Sequence, residues 1–250
     1  MKVTLTHNGQ SYTAHLNKPI DISLPLGQVR CFMAPEVKME PFQAGDFIGS
    51  VRAGAPVNYY NVFFNPHGNG THTECRGHIT RRVHSINQTL KKHHFLARLI
   101  SVKPIRQGKE DLVITEKMIK RQLSGKDSTA ALVIRTRPNR FSKLTKDYTD
   151  TNPPYLTDKA VQYLVDQKVQ HLLIDLPSVD REVDGGKLSA HHLFWGMGPV
   201  RDPSRKLCTI TELIYVGDHV EDGLYLLNLQ TAPIELDATP SRPVLFAIST

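Results

Sequence analysis

Between His67 and His78 the chain reads His-Gly-Asn-Gly-Thr-His-Thr-Glu-Cys-Arg-Gly-His, which gathers three imidazoles and a carboxylate in one short segment. Imidazole nitrogen and carboxylate oxygen are the donors that Zn²⁺, Mn²⁺ and similar divalent ions take. His72 and Glu74 are two residues apart, and in an extended segment that spacing puts both side chains on one face. Gly68 and Gly70 admit backbone conformations closed to other residues, so the loop can pack close to an ion and swing His67 toward it. His78, four residues past Glu74, can reach the same pocket without being a ligand. The glycines and Pro66 disfavour a helix, which removes the HEXXH arrangement from consideration. Cys75 reads as a buried bystander thiol, with a nucleophile paired to His78 or His72 as its rival.

A second cluster follows at His191-His192. Adjacent residues point in different directions, so one of the two faces a shared pocket. Glu212 is the sharper feature. In the strand-like run Thr209–Val216 a period of two places it on the face of Ile210, Ile214 and Val216. A carboxylate among apolar neighbours needs a partner, either a metal or a basic side chain. Asp175 and Asp180 form a third acidic group at the end of an apolar strand, where ligand sites of open α/β sheets gather. Turn capping is the commoner use of such residues.

The elements that must position these groups can be read from the same chain. Asn8-Gly9 marks a hairpin between residues 1–6 and 10–16. Val57 to Phe64, rich in β-branched and aromatic residues, reads as a buried strand. Thr115 caps a helix that Gly125 stops, and a strand over 130–136 follows. Thr157 caps a second helix with Ala160, Val161, Leu164 and Val165 on one face, and residues 171–175 form another buried strand. Helix and strand alternating in this way predict an α/β fold with parallel strands: a mixed β-sheet core with flanking helices in a single domain spanning residues 1–250.

Composition bounds the rest. Hydrophobic residues make up 40% of the 250 and charged residues 22%, the profile of a globular chain. The net charge of +7 is scattered and unaccompanied by any nucleic-acid-binding motif, so no nucleic-acid partner is expected. No apolar run is long enough to span a bilayer, and the N-terminus lacks the apolar core of a signal peptide, so a cytoplasmic protein without membrane contact is expected. Three cysteines with no Cys-x-x-Cys pair argue against a disulfide framework.

With these residues in place, the chain resembles the cyclase family of metal-dependent hydrolases, which includes bacterial kynurenine formamidase and isatin hydrolase. The family pattern is HxGTHxDxPxH, and Gly70-Thr71-His72-x-Glu74-x-x-x-His78 keeps its order and spacing. Asp21-Ile22-Ser23, Arg135-Thr136, Asp175-x-x-Ser178-Val179-Asp180, His191-x-x-Phe194-Trp195, the Glu212 strand and Pro243-Val244 follow in the same order, over roughly residues 18–248. The resemblance implies a swivelling β/β/α fold and one or two divalent ions, zinc first and manganese second. It also implies a homodimer or homotetramer and a small-molecule substrate, as in tryptophan catabolism. Carried over by residue, it makes His72, Glu74, His191 and Glu212 ligands, with His192 the fallback for His191. His78 becomes the general acid/base, and Glu74 takes part in catalysis as well. Three positions depart from the pattern: Glu74 stands for Asp, Arg76 for Pro, and Gly68 for the first histidine, leaving His67 one residue out of register. His67 is kept as a further ligand and Arg76 is expected to bind a substrate carboxylate or an oxyanion. Hydrolysis of an amide, formamide or cyclic amide is the activity implied; a lyase or cyclase on a related carbonyl, or a non-catalytic anion binder, are the alternatives.

Overall fold

The computed structural model describes residues 1–250. The expected hairpin forms: strands Lys2–His7 and Gln10–His15 join through Asn8 and Gly9, whose φ of 49° and 77° fit a type I′ turn. Both helix–strand pairs form as well. Helix Glu116–Leu123 starts after Thr115, Gly125 follows its end at φ 69°, and strand Ala131–Thr136 comes next. The Thr157 hydroxyl accepts the Ala160 N–H at 3.3 Å and caps helix Asp158–Asp166, which buries Ala160, Val161 and Leu164.

Strands His94–Val102, Ala131–Thr136, His171–Ile174 and Thr209–Glu212 run parallel, in that spatial order. The last two are buried throughout, as expected for strands covered on both faces. The other pairings of this sheet are antiparallel. His94–Val102 pairs with Gly223–Thr231, which pairs with Ala238–Ser249. The start of that last strand pairs with His72–Glu74, which in turn pairs with Thr209–Glu212, so the sheet closes on itself. Its outer face packs Ile100, Leu132, Ile134 and Leu172 against Leu164, Ala190 and Phe194 of the helices. Its interior is filled by Ala97, Leu99, Val133, Leu173, Leu227 and Leu245. Arg135 is buried at a strand end. Its guanidinium donates to the Ser101 hydroxyl, the carbonyls of Gly217 and Val220, and Asp222, which ties the 217–222 loop to the sheet.

Two expectations need correction. The 57–64 segment is not a buried strand: Tyr60–Phe63 is exposed along its whole length and pairs with Lys38–Pro41 in an arm outside the closed sheet. Its aromatic residues reflect β-propensity without burial. Ile214 and Val216 do not share the face of Glu212. Leu213 adopts φ 55°, which ends the strand at Glu212 and sends the two later residues into the interior.

His171 gives the fold a measurable acid sensitivity. Its Nδ1 lies 2.9 Å from the Thr209 hydroxyl and its ring 4.0 Å from that of Phe95. Burial pushes its pKa down to about 4. Below the ordinary histidine range the unfolded chain binds a proton that the fold refuses, so stability falls as pH drops from about 6.5 to about 4. The loss approaches roughly 3 kcal/mol. Urea unfolding at pH 7 and pH 4.5 should show His171→Gln with a shallower pH dependence than the parent chain.

Candidate metal centre

His72 and Glu74 lie on one short strand, and the antiparallel register sets His72 opposite Glu212 and Glu74 opposite Ile210. All three titratable side chains are buried on the outer face of the sheet, beneath helix Ser189–Phe194. Cys75 points the other way, into the interior, where its thiol donates to the His84 carbonyl at 3.3 Å. Burial raises its pKa, so no thiolate is on offer and the nucleophile reading falls.

The orientation of His72 follows from its partners. Nδ1 lies 3.1 Å from the Gly70 carbonyl, which can only accept, so Nδ1 carries the hydrogen and Nε2 presents a lone pair. Nε2 is buried without a hydrogen-bond partner, and the nearest charged atom is Glu212 Oε2 at 3.4 Å. Glu212 Oε1 accepts the Val179 N–H at 3.0 Å. Two acceptors therefore face each other in a buried pocket with no donor between them, an arrangement that a cation satisfies. Donor atoms of His72, Glu74 and Glu212 lie within 4.8 Å of one another, and one nitrogen with two carboxylates is a set that a divalent metal takes.

His191 completes this side of the pocket. Asp180 accepts the backbone N–H groups of Ala190 and His191 at 2.7 and 3.1 Å, starting the helix, and also meets His191 Nδ1 at 2.6 Å. His191 Nε2 is thereby aimed at Glu74 Oε1, 2.9 Å away, and lies 3.9 Å from Glu212 Oε1. A carboxylate behind an imidazole is the usual way in which a ligating histidine is oriented. His191 is thus the inward member of the pair, and His192 joins none of these contacts. Of the third acidic group only Asp180 serves the pocket. Asp175 accepts from the Thr136 N–H and from Lys143 Nζ at 2.6 Å; burial raises its pKa against the pull of Lys143.

The displaced histidine also arrives. His67 Nδ1 lies 3.1 Å from Glu74 Oε2, and its Nε2 lies 2.9 Å from Asp237 Oδ2. His78 Nδ1 lies 3.4 Å from Asp237 Oδ2 and 3.9 Å from Glu74 Oε2. His67, Glu74 and His78 form a second group able to hold a metal, sharing Glu74 with the first. A side chain at residue 68 is sterically closed, because a β-carbon on Gly68 would sit 2.2 Å from that of Ala34. Nothing in the sequence marks Asp237, which lies far beyond the motif at no recognisable spacing from it.

Acids and bases in the pocket hold one another charged. Burial opposes ionisation of Glu74, but the His191 and His78 charges and hydrogen bonds from His191 and His67 hold it well below the usual carboxylate range. His191 is driven well above the usual histidine range: burial works against it, and Glu74 and Asp180 outweigh burial. His67 rises to about 10 against burial, through hydrogen bonds to Asp237 and Glu74. Asp237 is held low by His67 first and His78 second.

A cavity of about 540 Å³ opens on this floor and is lined by His67, His78, His191 and Glu212 among others. Arg76 is not in its wall. The residue opens the short turn Arg76–Ile79, and its charge is felt at His84, whose pKa is lowered by burial first and Arg76 second. The guanidinium in the wall is that of Arg181, engaged with Asp111 at 2.8 Å.

The closed sheet with its flanking helices is a fold shared with several solved proteins. A predicted metal-dependent hydrolase from Bacillus stearothermophilus superposes with a TM-score of 0.63 at 17% identity, over 92% of this chain and 98% of that one. An isatin hydrolase bound to the product analogue thioisatinate gives 0.64 at 16% identity, over 93% of each chain. Isatin hydrolase A from Labrenzia aggregata, bound to benzyl benzoate, gives 0.67 at 15% identity, over 92% of this chain and 93% of that one. At such identities the likeness is one of fold. Residues 20–181 match the family model described as "Putative cyclase", and the chain belongs to that family, as its central motif implied. No curated protein matches the sequence.

The closed position at residue 68 can be tested directly. Gly68→Ala should destabilise the fold by about 1–3 kcal/mol through overpacking, and Ala34→Gly in the same chain should recover most of the loss. Thermal melting of the three proteins checks this.

Proposed function

We propose that the chain is a metal-dependent hydrolase of amide, formamide or cyclic amide carbon–nitrogen bonds. In this reading His72, Glu74, His191 and Glu212 hold a divalent ion, zinc first and manganese second, with His67 as a further donor. The observation that carries it is the buried His72 Nε2, which faces Glu212 with no donor in reach. When bound, the ion supplies Lewis acidity, polarising a carbonyl and making water acidic enough to react near neutral pH.

The remaining work falls to the protein. His78 is 29% exposed at the cavity wall, able to meet a substrate, while Asp237 and Glu74 flank its Nδ1 at 3.4 and 3.9 Å. It takes the proton released when water attacks and delivers it to the leaving nitrogen. Glu74 Oε2, 3.9 Å from His78 Nδ1, takes part by stabilising that ring while it carries the proton. A cavity of about 540 Å³ suits a small molecule. The fold shared with isatin hydrolases supports a cyclic amide among the substrates.

A homodimer or homotetramer belongs to the same proposal. The arm over residues 38–63 exposes Met39, Val57, Tyr59, Val62 and Phe63, and its four charges (Lys38, Glu40, Asp46 and Arg52) cancel on a chain of net charge +7. A neutral apolar face is where two like-charged copies can meet with least repulsion. Light scattering on the purified chain should give a mass of two or four protomers, and Tyr60→Glu with Phe63→Glu should lower it.

Chelation should abolish hydrolysis of a panel of amides, formamides and cyclic amides, and Zn²⁺ or Mn²⁺ should restore it. His78→Ala should keep its metal and lose about 10²–10⁴-fold in kcat. Undiminished turnover in His78→Ala would remove His78 from this role.

A further inference from the structure

Asp237 has no part in the family pattern, yet it touches two of the motif histidines. Its position is built, not incidental. The Asp237 carbonyl accepts the Cys75 N–H at 3.0 Å and the Leu236 carbonyl accepts the Ile86 N–H at 2.8 Å, which fixes the backbone on both sides of the motif. Gly77 makes room for it: a β-carbon there would stand 2.9 Å from that of Asp237 and 2.1 Å from the His84 carbonyl.

The opposite side of the loop explains why such a residue is needed. Residue 68 cannot carry a side chain because Ala34 fills the space. The imidazole must come from residue 67, on a loop whose backbone is pinned by Asn65 Oδ1, accepting the N–H groups of His67 and Gly68 at 2.9 and 3.0 Å. That pin sets where the ring starts but leaves its rotation free. The Asp237 carboxylate, 2.9 Å from Nε2, removes that freedom. A carboxylate only accepts, so Nε2 keeps its hydrogen, and Nδ1, which donates to Glu74 Oε2 at 3.1 Å in the protonated ring, is the nitrogen that gives up its hydrogen when an ion binds. Asp237 stands at the ring edge away from Glu74, outside the group of atoms able to share an ion with it.

We propose that Asp237 is a positioning residue that locks His67 in the tautomer and orientation presenting Nδ1 to the metal pocket, so that residue 67 serves where the family pattern puts a histidine at residue 68. The inference rests on the metal-centre reading above. It assigns to a carboxylate outside the motif the restoration of a ligand that the motif has lost.

The test uses Co²⁺, read by competition with a chelating dye and by its visible absorption, without any substrate. Asp237→Ala should weaken Co²⁺ binding by about 10–100-fold, the usual cost of removing a partner behind a ligating histidine, and should shift the visible bands. Asp237→Glu, which keeps a carboxylate on a longer arm, should recover part of the loss. In a His67→Ala background, Asp237→Ala should cost nothing further. Wild-type affinity in Asp237→Ala, equal losses in the Ala and Glu variants, or the same loss with and without His67 would each overturn the proposal while leaving a metal-binding protein. A parent chain that takes up no Co²⁺ would instead overturn the metal centre itself, and this inference with it.

Discussion

A fully buried carboxylate is tolerated only where positive charge or donors meet it, and Glu74 is such a group at the middle of the site. His67 and His191 reach it at 3.1 and 2.9 Å, and His78 stands at 3.9 Å. Each of these histidines is itself backed or flanked by a carboxylate, Asp237 for His67 and His78, Asp180 for His191. The result is an alternation of acid and base around one side chain. Removing Glu74 would leave buried imidazoles with no common partner; removing any one histidine would expose part of its charge to an apolar wall. Both candidate metal groups contain Glu74, so the geometry of the site is set by the strand that carries it.

Closure of the sheet is what makes that strand dependable. A three-residue strand has little stability of its own, yet His72–Glu74 is paired on both sides, with Thr209–Glu212 and with Ala238–Pro240. The first pairing places Glu212 against His72; the second places the residue before Ala238, which is Asp237, beside the motif. Leu213, in the left-handed region, stops the neighbouring strand where its carboxylate is needed. Asp180 uses one carboxylate both to start a helix and to aim the histidine that the helix carries.

Much of this was legible in the chain. Two-residue spacing gave His72 and Glu74 a common face, and the strand pattern around Glu212 correctly implied burial. The hairpin at Asn8-Gly9 and both helix–strand pairs follow from local rules of turn and cap. What was hidden depends on contacts between distant segments. Asp237 approaches only because two strands pair across the sheet closure, and Gly68 is required only because Ala34 lies over it. The Tyr60–Phe63 strand has the composition of a core strand but pairs on one side alone, outside the sheet. Ile214 and Val216 left the face of Glu212 because a single residue changed backbone region, which periodicity cannot register. Arg76 looked like a substrate clamp by its place in the motif, yet Arg181 is the arginine that lines the cavity.

In the proposed function His72, Glu74 and Glu212 would together hold a divalent ion. Anomalous diffraction at the zinc edge from crystals grown with Zn²⁺ measures this most directly. A strong peak is expected within coordination distance of His72 Nε2, a Glu74 oxygen and a Glu212 oxygen. Fully occupied crystals whose only peaks lie elsewhere, with His72 Nε2 still facing Glu212 unbridged, would contradict it.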